Sequence, residues 1–206
     1  MAMLTGMTAT ETTPAALIQA GFQAQNGGDM GAAEAAYREA LRQQPEHPVA
    51  LQLLGLLLRR RGEVAAAEAL FRRSLRAQPA QPHVWNNLGN LLHAGARSSD
   101  ALAAFDQALA LDADCIDAHY NRARVLHGLA RLDEAAASLN RALAMSAQPT
   151  VPMLQLHAQI EADGGHLESA LRTLGHALQA APDKPTLLHN QAVLLQRLHR
   201  HAQALE

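Results

Sequence analysis

A fixed spacing in the chain constrains its fold more than any other feature of its 206 residues. Prolines 14, 48 and 82 lie 34 residues apart, and three further steps with one inserted residue near 147–150 reach Ile116, Val151 and Pro185. Measured from those starts, the twentieth residue is Ala in every unit (Ala33, Ala67, Ala101, Ala135, Ala170, Ala204). The eighth is always small (Gly21, Gly55, Gly89, Ala123, Ala158, Ala192), and the twenty-fourth is always large and apolar (Tyr37, Phe71, Phe105, Leu139, Leu174). Leu fills the twenty-eighth place as Leu41, Leu75, Leu109, Leu143 and Leu178. A repeat of this length means one supersecondary unit stacked on copies of itself.

Each unit reads as two helices. The chain has 44 Ala and 34 Leu against 9 Val plus Ile, a balance that favours helix and argues against sheet. Pro14, Pro48, Pro82 and Pro185 suit the first turn of a helix, where the missing N–H costs no bond. Gly28, Gly62 and Gly165 occupy the fifteenth place, where one helix stops and another starts. Pro45, Pro79 and Pro182, at the thirty-second place, close the second helix. Small residues at the eighth and twentieth places allow close backbone approach, and the large twenty-fourth residue fills the gap beside them.

These residues resemble the tetratricopeptide repeat. Trp85-Asn86-Asn87-Leu88-Gly89-Asn90, followed by Ala101, Phe105 and Ala108, carries the likeness most closely. It extends over residues 14–206, with units starting near 14, 48, 82, 116, 151 and 185, the last incomplete, behind a flexible leader at 1–13. The resemblance implies an all-α, right-handed superhelical solenoid of helix-turn-helix repeats. Units four to six depart from it at the usually apolar seventh place, occupied by Arg122, His157 and Gln191.

The resemblance also implies that the second, fifth, sixth, ninth, twelfth and thirteenth places of each first helix face a concave groove. Unit three then offers His83, Asn86, Asn87, Asn90 and His93, and unit four Asp117, Tyr120, Asn121, Arg124 and His127. Unit five offers Gln155 and Gln159, and unit six His189, Asn190 and Gln196. Units one and two present Ile18, Phe22, Gln52, Leu53 and Leu56 instead. Asn at the sixth place recurs as Asn87, Asn121 and Asn190, interrupted by Leu156, and is expected to face solvent. Amides both donate and accept, so such a row can pair with the backbone of an extended peptide. It resembles the asparagine ladder in the repeat arm of O-linked N-acetylglucosamine transferases.

A protein-interaction scaffold that binds a peptide or partner protein in its groove is therefore expected, with no catalytic residues of its own. The alternative is the substrate-recruiting N-terminal arm of a larger bacterial enzyme, a glycosyltransferase or sulfotransferase. A carboxylate clamp for heat-shock proteins is not expected, because Ile18 and Phe22 stand where that clamp needs Lys and Asn. Arg59, Arg60 and Arg61 suit the negative end of a helix dipole.

Composition limits the other classes. The formal charge of −2 gives no reason to bind nucleic acid or an anionic membrane. Eleven His include His93 and His127 at matching places and the His199/His201 pair, yet no third ligand is fixed, so neither a metal nor another cofactor is expected. The lone Cys115 fits a reducing compartment, and a cytoplasmic location is expected. No window approaches 18 apolar residues, and residues 1–13 lack the pattern of a signal peptide. Because the chain stops about two-thirds of the way through its sixth unit, it is expected to be a fragment. Leu187, Leu188, Val193, Leu194, Leu195 and Leu198 are expected to leave a face that drives weak self-association.

Overall fold

The computed structural model describes residues 13–204, with side chains described as far as His199. The leader expected at 1–13, apart from Thr13, and the side chain of His201 lie outside the described residues. Those described form eleven helices and no strand: α1 (Pro14–Asn26), α2 (Met30–Gln43), α3 (Pro48–Arg60), α4 (Val64–Ala77), α5 (Pro82–Ala94), α6 (Ser98–Leu111), α7 (Ile116–Gly128), α8 (Leu132–Met145), α9 (Val151–Asp163), α10 (Leu167–Ala180) and α11 (Pro185–Ala204). Two compact units divide within α5, between Leu91 and Leu92.

The helix boundaries follow from local chemistry. Thr13 caps α1 by accepting the Ala16 N–H at 3.3 Å, and Asp29 caps α2 by accepting from Ala32 at 2.8 Å. Pro45, Pro79 and Pro182 stand two residues beyond the ends of α2, α4 and α10. Every turn inside a helix pair repeats one geometry. In the α3–α4 turn, Glu63 N–H donates to Leu58 O at 3.0 Å and Gly62 N–H to Arg59 O at 3.0 Å. The α7–α8 turn matches it, with Arg131 N–H donating to Leu126 O and Ala130 N–H to His127 O, each at 2.9 Å. The fifteenth residue must turn left-handed to close this motif, and Gly28, Gly62 and Gly165 do so at φ of 87°, 83° and 85°. Ala96 and Ala130 hold the same place at 58° and 57°, at a steric cost that glycine avoids.

In the first unit, α1 packs on α2 and α3 on α4, with α2 against α3. Tyr37 and Phe71 are fully buried. A Cβ on Gly21 would meet Tyr37 Cε1 at 2.5 Å, so the ring occupies the volume the glycine leaves. Polar ties join successive pairs: Ser74 donates to Pro48 O at 2.9 Å, and Arg73 donates to Pro45 O and Glu46, both at 2.8 Å. Arg61 pairs with Glu34, which also accepts from Arg38. The Arg38 hydrogen bond, helped by Arg61, holds the Glu34 carboxyl below its ordinary range.

In the second unit, α7 packs on α8, α9 on α10 and α10 on α11, with α6 against α7 and α8 against α9. The polar seventh place of unit four, Arg122, is bonded into these contacts. Arg122 donates to Asp106 on α6 at 2.7 Å and to the nearly buried Ser138 on α8. Glu161 on α9 accepts from Ser169 and, at 2.8 Å, from Thr173 on α10, with His157 at 3.9 Å. On α11, Leu187 and Leu194 are buried, whereas Leu188 and Leu195 are about half exposed. Among the described residues, no helix is long and apolar enough to cross a membrane.

Candidate functional site

The residues singled out by the repeat pattern fall into separate settings. On the first-unit part of α5, Asn86 is buried at 8% exposure, and Asn87 and Asn90 are half-buried. His83 on the same helix lies 3.3 Å from Gln52 on α3, Nε2 to Oε1. Phe22 on α1 is 49% exposed.

In the second unit, α7 gathers three of them. Arg124 donates from NH1 to Asn121 Oδ1 at 3.3 Å, and its guanidinium carbon lies 5.9 Å from the centroid of the Tyr120 ring. Asn121 corrects an expectation: the sixth place is expected to face solvent, yet Asn121 is only 9% exposed, with its Oδ1 accepting from Arg124. His93, at the second-unit end of α5, is half-buried, with Nδ1 buried and unpartnered. Burial, and then the charge of Arg124, push its imidazole below the ordinary histidine range.

Three of the expected residues meet at a pocket of about 290 Å³ shared by α7, α9, α10 and α11. Ala158, Ala162, Leu174 and Leu194 give it an apolar floor, each at most 5% exposed. His127, Gln159 and Asn190, from three successive repeats, stand around it. Gln159 is exposed and Asn190 half-buried. Gln155 is half-buried and His189 exposed, and neither lines the pocket.

Two further lining residues, Asp163 and Arg197, are not among the residues the sequence singles out. His127 Nε2 donates to Asp163 Oδ2 at 2.9 Å; Arg197 reaches Asp163 Oδ1 at 3.8 Å and donates to Ala162 O at 2.7 Å. Asp163 and Arg197 both hold the thirteenth place of their units. That register is available in the sequence, but only the folding of α9, α10 and α11 together brings the two charges near each other. Among the described residues, no group of three or more His, Cys, Asp and Glu is placed to hold a metal ion.

Comparison with known proteins finds the same kind of repeat. Residues 23–82 and 86–151, more than half of the chain, match the family described as tetratricopeptide repeat. No curated protein sequence gives a significant match. Among solved structures, a tetratricopeptide repeat protein from Parabacteroides merdae ATCC 43184 is similar at 20% identity and TM-score 0.77, over 93% of this chain and 76% of that one. YrrB, described as a TPR protein with an unusual peptide-binding site, is 20% identical with TM-score 0.73, over 89% of this chain and 94% of its own. Pseudomonas aeruginosa pilF reaches TM-score 0.80 at 18% identity, over 93% of this chain and 87% of its own. At these identities the likeness is one of fold: an all-α solenoid of helix-turn-helix repeats.

Proposed function

The chain belongs to the tetratricopeptide repeat family of protein-interaction scaffolds, and we propose that its second unit holds an extended peptide segment along α7, α9 and α11. The observation that carries this reading is the meeting of His127, Gln159 and Asn190 around one pocket, although they are spread over 64 residues of sequence. An exposed amide on α9 and a half-buried one on α11 present donors and acceptors that match the two polar groups of each peptide unit. Arg124, braced by Asn121 and laid near Tyr120, adds a positioned cation for a carbonyl or carboxylate of the same segment. In the first unit, Asn87 and Asn90 carry the same amide chemistry on α5. The peptide-binding site in the description of YrrB is consistent with this use of the fold.

The test is selection of peptides from a random display library, followed by fluorescence anisotropy of the best binder with wild-type protein and with Gln159→Ala/Asn190→Ala. Loss of two neutral hydrogen bonds, each worth about 0.5–1.5 kcal/mol, weakens binding about tenfold. The melting temperature stays within a degree or two, since neither side chain is buried. Equal affinity of the two proteins refutes the reading.

A further inference from the structure

We propose that the pocket between α7, α9 and α11 is an anchor site for one tyrosine side chain of the bound segment. This rests on the peptide-binding reading of the second unit and adds the identity of the side chain it selects.

The pocket's two halves ask for different chemistry. Its floor of Ala158, Ala162, Leu174 and Leu194 offers no polar side chain to a guest, so whatever fills it has an apolar body. At about 290 Å³ it is roomy enough for an aromatic ring, the side-chain type that buries most surface at an interface. A methyl or hydroxymethyl group would leave most of it empty.

The rim carries opposite charges that offset each other. Asp163 accepts from His127 at 2.9 Å and faces Arg197 at 3.8 Å, and Arg197 also donates to the backbone of Ala162. A lysine ammonium entering here gains Asp163 but meets Arg197; a carboxylate gains Arg197 but meets Asp163. Neither charge has a net advantage to repay its desolvation. A neutral hydroxyl can donate to the Asp163 carboxylate while accepting from Arg197 or the Asn190 amide. Phenylalanine leaves these rim groups unserved, and an indole N–H can only donate. Tyrosine joins a rigid apolar ring to a tip with both capacities and has few rotamers to immobilise.

The pocket is tested with side-chain analogues and needs no peptide. Titrations of the whole chain with p-cresol, toluene, p-cresyl phosphate and n-butylammonium are followed by 1H–15N NMR, reading the side-chain amides of Gln159 and Asn190. The expected result is saturable shifts with p-cresol at least fivefold tighter than with toluene, and weaker binding of both charged analogues. Val193 borders the pocket at 39% exposure, so Val193→Phe fills the space from its edge and abolishes the p-cresol shifts. Asp163→Asn, a near-isosteric change at a half-exposed site, narrows the p-cresol to toluene ratio and serves if Val193→Phe fails to fold. Toluene binding as well as p-cresol, either charged analogue binding tighter, or no saturable shift overturns the proposal. So does p-cresol affinity unaltered by a folded Val193→Phe. Failure here with retained loss of peptide affinity in Gln159→Ala/Asn190→Ala would remove the tyrosine anchor alone. Failure of the amide variant with intact p-cresol binding would remove the extended-peptide reading instead.

Discussion

Gly55 and Phe71 fit so closely that a Cβ on the glycine would stand 2.8 Å from Cε1 of the ring, inside the contact distance of carbon atoms. Phe71 is fully buried and cannot retreat into solvent. Gly55→Ala should therefore destabilise by about 1–3 kcal/mol through overpacking. Units four and five carry the other solution, Ala123 with Leu139 and Ala158 with Leu174. Gly55→Ala combined with Phe71→Leu should be less destabilised than the sum of the single changes. A double-mutant cycle by urea denaturation measures this, and strict additivity would show that the two side chains do not share the space.

Ala130 turns at φ 57°, where Gly165 turns at 85° in the next repeat. The left-handed conformation costs a Cβ-bearing residue about 1–2 kcal/mol, whereas glycine loses about 0.5–1 kcal/mol of chain entropy on folding. Ala130→Gly should then raise stability by about 0.5–1 kcal/mol. Thermal denaturation reads the sign, and a lower melting temperature would contradict the strain.

Arg122 holds Ser138 from across the helix pair, and Ser138 is only 4% exposed. Removing the arginine alone, as Arg122→Ala, takes a partner from a buried hydroxyl and should cost about 1–3 kcal/mol. Arg122→Leu with Ser138→Ala restores the apolar combination that Leu88 and Ala104 present at the same places in unit three, and should recover or exceed wild-type stability. A double variant weaker than Arg122→Ala would mean that the polar contact is not replaceable by packing.

The imidazole of His93 is pushed down by burial and by Arg124. A histidine depressed in the folded state binds its proton more readily when unfolded. It therefore supports the fold fully above the unfolded-state value of about 6.5, and that support is lost as pH falls below it. His93→Asn should flatten the decline in stability on the acid side of neutrality. Arg124→Gln should move the His93 titration upward in NMR, and an unmoved titration would exclude the arginine as a cause.

Much of the fold was legible because punctuation and packing coincide in each repeat. Proline marks starts, a left-handed residue marks turns, and the sizes of the eighth and twenty-fourth residues vary together, as at Gly55 with Phe71 and Ala158 with Leu174. The polar seventh place of unit four reads as a departure only until Arg122 is taken together with its partner Ser138. Ser138 and Thr173 both occupy the twenty-third place, where the second and third repeats have Leu70 and Ala104. The hydroxyls thus appear in the same units as Arg122 and His157. The site was less legible. The bond from Arg124 to the buried Asn121 and the contact of Asp163 with Arg197 both depend on side-chain placement in the folded repeats, the second between helices 34 residues apart in sequence.

The most direct measurement of peptide capture by the second unit is NMR cross-saturation from a display-selected, unlabelled peptide onto the deuterated, 15N-labelled whole chain. The account predicts strong transfer to the side-chain amides of Gln159 and Asn190 and to the backbone amides of α9 and α11 around the pocket. Transfer confined to other surfaces, with Gln159 and Asn190 silent while the peptide is bound, would contradict it.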